Sequence, residues 1–282
     1  MKGKDRMIRQ GAYLLPNLLT SFSLLCGIVA IVLCLQYLTD QNAAHAGNPL
    51  FTSAAWLIIA SMFFDFLDGK VARLVHAESE FGVKIDSLTD FVSFGIAPVV
   101  LAYTALLPHV PLAVQGVVCG AYLFGGAWRL ARFNCEAATS NASSTHFTGL
   151  PIPAAASFIC SLVLITPGTE NGTFFLGHTF TMLPPTVAGA LAALLLLVLA
   201  FLMMSRIPFP AFKKTNQRNL ILLGGLAIFI LVLMLVLPLV NIVFLIMVLY
   251  LTFGLFQYFL DRVLKLQNQA VVKAPRTKER GR

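Results

Sequence analysis

Four of the twelve acidic residues in this sequence are spaced so that they can share one site. Asp65 and Asp68 are three residues apart and Asp86 and Asp90 are four apart, so in helices each pair lies on one face. The short segment between the pairs lets two such helices lie antiparallel with these faces together. Clustered carboxylates repel one another unless cations bind between them, and all-oxygen sites suit Mg²⁺ or Mn²⁺. The spacing therefore predicts two divalent cations about 3.5–4 Å apart, the usual arrangement for displacement at phosphorus.

Small and basic residues accompany the acidic ones. Gly69 and Ala72 would let a ligand approach the helix backbone, and Arg73 could pair with a diphosphate. The alternative is that the acids form ion pairs at helix ends with Lys70, Arg73 and Lys84. That alternative leaves unexplained why acids cluster where basic residues are few, so we favour the ligand site.

The composition indicates what kind of protein must position these groups. The chain has 282 residues, of which 58% are hydrophobic and 11% are charged, whereas a soluble domain has about 25% charged residues. A mean hydropathy of +0.83 agrees. Soluble enzymes, disordered tails and disulfide scaffolds are excluded, and the five cysteines are expected to be free structural thiols. The chain is predicted to be an integral membrane protein.

The apolar stretches predict an all-α fold with eight spans, each near the ~20 residues that a helix needs to cross a bilayer. The predicted spans are 16–38, 50–74, 88–107, 111–133, 150–167, 182–204, 219–237 and 239–260.

All 20 Lys and Arg residues fall at the termini, at alternate connections between these spans, or in the last residues of a span next to such a connection. By the positive-inside rule both termini are cytoplasmic, so the net charge of +8 reflects topology and not nucleic-acid binding. Asp65 precedes Arg73 by eight residues and should lie about 12 Å deeper along a helix, where an ionisable group indicates function. A cation transporter is the rival class, but it predicts acids at the midplane and an inverted repeat.

The acidic residues also belong to a longer pattern. Asp65-Phe-Leu-Asp68-Gly69-Lys-Val-Ala72-Arg73 is followed after eight residues by Gly82, then by Asp86 and Asp90. This pattern resembles, without departure, the signature of the CDP-alcohol phosphotransferases. In that family six helices form a catalytic core around a di-metal site that is open to the cytoplasm.

The resemblance implies a role for each residue of the pattern. Metal ligands would be Asp65, Asp68 and Asp86, while Asp90 would contribute to the second metal and act as the base. The residues implied to shape the CDP pocket are Gly69, Ala72, Arg73 and Gly82. The cofactors would be two divalent cations, Mg²⁺ or Mn²⁺, and family members form homodimers.

Shorter phrases resemble one branch of the family, the membrane-embedded phosphatidylserine synthases. The phrases are Leu15-Pro16-Asn17-Leu18-Leu19-Thr20, Asp90-Phe-Val-Ser93-Phe94-Gly95, Arg129-Leu-Ala-Arg132-Phe133-Asn134 and Gly149-Leu-Pro151-Ile-Pro153. This resemblance implies transfer of a phosphatidyl group from CDP-diacylglycerol to L-serine with release of CMP. Arg129 or Arg132 would hold the serine carboxylate, or alternatively the phosphate of glycerol 3-phosphate or inositol phosphate. Two further alternatives are that these arginines only snorkel and that the helix start at Pro151 binds the anion.

The chain is accordingly divided into three parts. Residues 1–218 are expected to form the six-helix core, 219–260 an additional transmembrane hairpin, and 261–282 a basic cytoplasmic tail. We expect a bacterial cytoplasmic membrane, with the active site on its cytoplasmic side.

Overall fold

Helices make up nearly all of the regular structure in the computed structural model of this protein. The structure describes residues 2–40, 48–75, 80–139, 146–165, 173–175, 178–180, 183–210, 241–254, 256 and 258. Its α-helices there are α1 (Lys2–Thr39), α2 (Pro49–Leu74), α3 (Glu80–Asp90), α4 (Ala97–Ala105), α5 (Leu112–Thr139), α6 (Ile152–Ile165), α7 (Pro185–Met204) and α8 (Asn241–Gly254). The π-helix Phe91–Ile96 joins α3 to α4 without a break. The predicted all-helical class is confirmed.

Four helical segments within these residues are long and apolar enough to cross a membrane. They are Leu15–Thr39, Pro49–Leu74, Phe81–Ala105 and Pro185–Met204, and they correspond to the predicted spans 16–38, 50–74, 88–107 and 182–204. Several apolar helices of this kind indicate an integral membrane protein.

The other predicted spans have different outcomes. The span 111–133 lies within α5, which is long but interrupted by polar residues, and 150–167 corresponds to α6, which has only 14 residues. Helix α8 lies inside the predicted span 239–260, whereas 219–237 lies outside the described residues. The total of eight spans stays a prediction.

The helix that carries the second acid pair begins earlier than its predicted span. We expected that span to start at 88, but α3 starts at Glu80. The charged side chains of Lys84 and Asp86 interrupt the apolar run without interrupting the helix, because Lys is a good helix former and Asp costs only a fraction of a kcal/mol. Asp86 and Asp90 therefore lie on one continuous helix.

Close helix contacts bring the segments around the acids together. Helix α1 packs along α2, and α5 packs along α7. At Gly125 of α5 a Cβ atom would lie 2.9 Å from the carbonyl oxygen of Ala200 in α7, so only glycine permits this approach. Small residues at such contacts let helix backbones approach and gain van der Waals contact, which drives helix association in a bilayer. Tyr122, Phe94 and Ile58 are fully buried between the helices.

Four strands of three residues complete the described fold. The first, β1 (His146–Thr148), pairs antiparallel with β4 (Pro208–Pro210), and β2 (Thr173–Phe175) pairs with β3 (His178–Phe180). The β1–β4 pair ties the connection before α6 to the end of α7.

Candidate active site

The structure brings together the acidic residues that the spacing predicted. Carboxylate oxygens of Asp65 and Asp68 on α2 and of Asp86 on α3 all lie within 4.8 Å of one another. Asp65 also acts electrostatically on both Asp86 and Asp90. The faces of α2 and α3 thus meet as expected, and together they present up to eight carboxylate oxygens.

The donor set fits divalent cations. Asp68 is buried, and Oδ1 of Asp86 and Oδ1 of Asp90 are buried without a hydrogen-bond partner among the described residues. A buried oxygen without a partner is costly, and mutually close carboxylates repel each other. Bound hard cations, which prefer oxygen ligands, would give these oxygens a partner and would neutralise the repulsion between the carboxylates. The cluster is therefore a candidate centre for divalent cations.

Helix α1 supplies hydroxyl groups to this cluster, which the sequence reasoning did not foresee. Oγ1 of Thr20 donates to Oδ2 of Asp68 at 2.5 Å. One turn further along α1, the hydroxyls of Ser23 and Ser61 are hydrogen-bonded at 2.8 Å. Ser61 lies one turn before Asp65 on α2, so α1 is bonded to the acid-bearing face at two levels. The signal in the sequence for this contact was Thr20, the last residue of the family-like phrase Leu15–Thr20.

The π-helix that follows Asp90 fixes the end of α3 against α1 and α5. Oγ of Ser93 donates to the carbonyl oxygen of Ser23 at 3.2 Å, and the hydroxyl of Tyr122 donates to the carbonyl oxygen of Phe94 at 3.2 Å. A Cβ atom at Gly27 would lie 2.6 Å from Oγ of Ser93, so glycine is required for this approach. Single π-helical turns are frequent at functional sites, and this one directly follows Asp90, the predicted base.

The residues predicted to shape the nucleotide pocket continue along the same two helices. Ala72 is half-buried and Arg73 is exposed at the end of α2, while Gly82 is half-buried near the start of α3. A Cβ atom at Gly69 would touch only Nη2 of Arg73, at 3.9 Å. The ammonium of neighbouring Lys70 lies 4.3 Å from the ring centroid of Phe66. The space over Gly69 is thus bordered by a cation, as a diphosphate site would require.

Arg129 on α5 faces the acid cluster from another side. Its side chain is only 8% exposed, and its Nε has no hydrogen-bond partner among the described residues. Asp90, Tyr250 and Arg132 are the titratable groups that act on it electrostatically. A buried guanidinium that attracts Asp90 and has an unpartnered Nε can bind an anion near the predicted base.

Arg132 is occupied differently, although it lies only three residues from Arg129. Its Nη1 donates to the carbonyl oxygen of Met204, and its Nη2 donates to those of Met203 and Ser205, at 3.1–3.3 Å. These carbonyls belong to the last turn of α7, where a cation is stabilising. Arg132 therefore caps α7.

The phrase that starts at Gly149 belongs to the same cap. Gly149 has φ +83°, and a Cβ atom there would lie 2.6 Å from Nη2 of Arg132 and 2.6 Å from the carbonyl oxygen of Met203. The amide of Leu150 donates to the carbonyl oxygen of Leu202 at 3.0 Å. Glycine is needed here by conformation and by space, and the segment joins α6 to the end of α7.

A further pair connects the second acid-bearing helix to α5. Nδ2 of Asn134 donates to Oγ of Ser87 at 3.1 Å. Ser87 directly follows Asp86, and Asn134 lies beyond Arg132 on α5. This contact fixes α3, and hence Asp86, relative to the arginine-bearing helix.

Comparisons with known proteins identify the family to which the chain belongs. Residues 13–256 match the family model for CDP-alcohol phosphatidyltransferase. A CDP-diacylglycerol–serine O-phosphatidyltransferase of Helicobacter pylori is 36% identical over 208 residues, which cover 72% of this chain and 75% of the relative. Relatives with the same name from Bacillus subtilis (33% identical, 73% and 95% covered) and Saccharomyces cerevisiae (34% identical, 52% and 51% covered) also match. With its acid cluster on α2 and α3 and a family match over most of its length, the chain belongs to the CDP-alcohol phosphatidyltransferase family.

Proposed function

We propose that this protein transfers the phosphatidyl group from CDP-diacylglycerol to L-serine, with phosphatidylserine and CMP as products. The observation that carries the proposal is the convergence of Asp65, Asp68 and Asp86, whose carboxylate oxygens lie within 4.8 Å of one another. Relatives named for this reaction cover about three quarters of the chain. Family membership supports the reaction type, and these relatives support serine as the acceptor.

The metal ligands would be Asp65, Asp68 and Asp86, with Asp90 completing the second site. The unpartnered oxygens of Asp86 and Asp90 support this assignment. When bound, divalent cations would supply positive charge against the diphosphate as negative charge develops there. Thr20 would hold the carboxylate of Asp68 in its ligating orientation, as outer-shell partners of metal ligands do.

The nucleotide would lie along the ends of α2 and α3. Arg73 would pair with the diphosphate, while Gly69, Ala72 and Gly82 would leave room for it close to the helix backbone. The acyl chains of the lipid would remain among the apolar faces of the spanning helices. This placement directs the phosphorus that bears the diacylglycerol toward Asp90.

Asp90 would act as the general base. The hydroxyl oxygen of serine attacks the phosphorus that bears the diacylglycerol, and its proton passes to a carboxylate oxygen of Asp90. The new oxygen–phosphorus bond forms as the bond from that phosphorus to the oxygen of CMP breaks. The buried Oδ1 of Asp90 has a free acceptor position for this proton.

Arg129 is the better candidate to hold the serine carboxylate. The guanidinium of Arg132 already donates to three carbonyl oxygens of the α7 end, whereas Nε of Arg129 is buried without a partner among the described residues. A planar guanidinium can grip a carboxylate with two parallel hydrogen bonds. Arg129 would thus orient serine with its hydroxyl toward Asp90.

The membrane arrangement extends this proposal. A six-helix core over residues 1–218 would be followed by a hairpin at 219–260 and a basic tail at 261–282. The distribution of Lys and Arg supports cytoplasmic termini and a cytoplasmic active site. A homodimer in a bacterial cytoplasmic membrane is expected from the family.

An acceptor assay tests the proposal. The purified full-length protein is supplied with CDP-diacylglycerol and Mg²⁺ or Mn²⁺, and CMP release is measured with serine, glycerol 3-phosphate or inositol phosphate. We expect release to require serine. Preference for another alcohol would refute serine as the acceptor while retaining the transferase chemistry, and a cation transporter would release no CMP with any acceptor.

A further inference from the structure

Helix α8 brings a tyrosine to the arginine side of the site. The ring of Phe244 on α8 packs on Phe158 of α6 with centroids 5.5 Å apart. Six residues further along α8, Tyr250 is half-buried against the hydrophobic core. Helix α8 therefore packs against α6 through the rings of Phe244 and Phe158.

The helix repeat fixes the level that Tyr250 reaches. Tyr250 lies six residues after Phe244, and Ile152 lies six residues before Phe158, which corresponds to about 9 Å along either helix. Tyr250 interacts electrostatically with Arg129 of α5, so it lies on the side of Phe244 that faces Ile152, and α8 runs antiparallel to α6. Ile152 packs on Gly126 of α5, where a Cβ atom would lie 2.8 Å from Cδ1 of Ile152. Arg129 follows Gly126 by one helical turn, so Ile152, Arg129 and Tyr250 lie at neighbouring levels of α6, α5 and α8.

Tyr250 and Arg129 each act electrostatically on the other. A guanidinium only donates hydrogen bonds, whereas a phenol oxygen can accept one. Asp90 attracts the same guanidinium. If Asp90 were the only group attracting Arg129, the guanidinium would turn toward that carboxylate. A phenol oxygen at Tyr250 offers a second acceptor and so changes the preferred orientation of the guanidinium.

We infer that Tyr250 is a positioning residue, whose phenol oxygen orients the Arg129 guanidinium toward the carboxylate of the incoming acceptor. The inference rests on the proposed function, because it concerns the residue proposed to hold serine. It also gives α8 a role in acceptor selection, so the acceptor site includes a helix from outside the six-helix core.

The test is the variant Tyr250→Phe, which keeps the ring and its packing but removes the oxygen. Steady-state CMP release is measured in the full-length protein with serine and CDP-diacylglycerol varied in turn. We expect the KM for serine to rise about fivefold, the typical net effect of losing one hydrogen-bond acceptor, because the phenol oxygen acts on serine only through Arg129. The KM for CDP-diacylglycerol and the melting temperature in detergent should stay at wild-type values.

A double-mutant cycle shows whether Tyr250 acts through Arg129. If it does, Tyr250→Phe should raise the KM for serine no further once Arg129→Lys is present. Tyr37→Phe is the matched control, because Tyr37 lies 17 residues beyond Thr20 on α1, about 25 Å along the helix. This control should keep wild-type values of both KM constants.

Three results would overturn the inference: an unchanged KM for serine in Tyr250→Phe, an equal rise in both KM constants, or additive effects in the cycle. Failure of the proposed function looks different. In that case serine would not stimulate CMP release by the wild-type protein, which would respond to another alcohol or release no CMP at all.

Discussion

The acid face of α2 and α3 and the arginine face of α5 meet near Asp90 but are built in different ways. On the acid face, four carboxylates lie within 26 positions of sequence, and helix spacing alone turns them toward one another. On the arginine face, two guanidiniums three residues apart have separate environments, because Arg132 caps α7 while Arg129 is buried beside Asp90. Helical spacing therefore predicts that two side chains point in the same direction. Tertiary contacts decide which of them is available to a substrate.

The largest effect should follow loss of a metal ligand on the acid face. We expect Asp65→Asn or Asp86→Asn to lower kcat/KM by at least about a thousandfold, because each removes a ligand oxygen charge needed for cation binding. Excess chelator should abolish activity of the wild type, and added Mg²⁺ or Mn²⁺ should restore it. CMP release measures both effects.

Asp40→Asn is the matched control for this substitution. Asp40 lies just beyond the end of α1, about 30 Å along that helix from Thr20, and its neutralisation should leave activity unchanged. Full activity of the wild type in excess chelator would refute the metal centre.

Asp90 should separate catalysis from binding. Because proton acceptance is needed only in the transition state, Asp90→Asn should lower kcat about a hundredfold or more while CDP-diacylglycerol binding falls much less. Turnover is compared with the Kd for the nucleotide lipid, measured by equilibrium binding. An equal loss of affinity and turnover would reclassify Asp90 as mainly a metal ligand.

Much of the acid face could be predicted from sequence, because its geometry is local. The i, i+3 and i, i+4 spacings place Asp65 with Asp68 and Asp86 with Asp90, and a short connection brings the pairs together. The bond from Thr20 joins residues 48 positions apart, which no periodicity reveals. The early start of α3 at Glu80 was missed because apolar runs report membrane burial and not helix length.

Thr20 tests whether that unforeseen contact matters. Thr20→Val keeps the shape of the side chain but removes the hydroxyl that donates to Asp68, and we expect affinity for Mn²⁺ to fall about tenfold. Cation titration of the purified protein measures this without turnover. Thr39→Val is the control, since the Thr39 hydroxyl bonds only to the carbonyl oxygen of Gln36 at the far end of α1 in the described structure. Equal affinities for all three proteins would make the Thr20 contact structural only.

The smallest predicted effects test the difference between the two arginines directly. Arg129→Lys keeps the charge but loses the planar fork, so the KM for serine should rise about tenfold while CDP-diacylglycerol affinity is nearly unchanged. Arg132→Lys should instead lower the melting temperature, because one ammonium cannot reproduce the hydrogen bonds that the guanidinium makes to three carbonyl oxygens at the end of α7. Its KM for serine should stay within about twofold of wild type.

Each arginine variant is the matched control for the other, since both replace an arginine by a lysine within a single turn of α5. Steady-state kinetics and thermal unfolding in detergent are measured on both proteins. A reversed pattern, with the serine KM raised in Arg132→Lys alone, would mean that the α7 cap opens during turnover and that Arg132 is the acceptor ligand. Wild-type serine kinetics in both would show that neither guanidinium holds the carboxylate, and the anion site would then have to be sought elsewhere, first at the helix start beside Pro151.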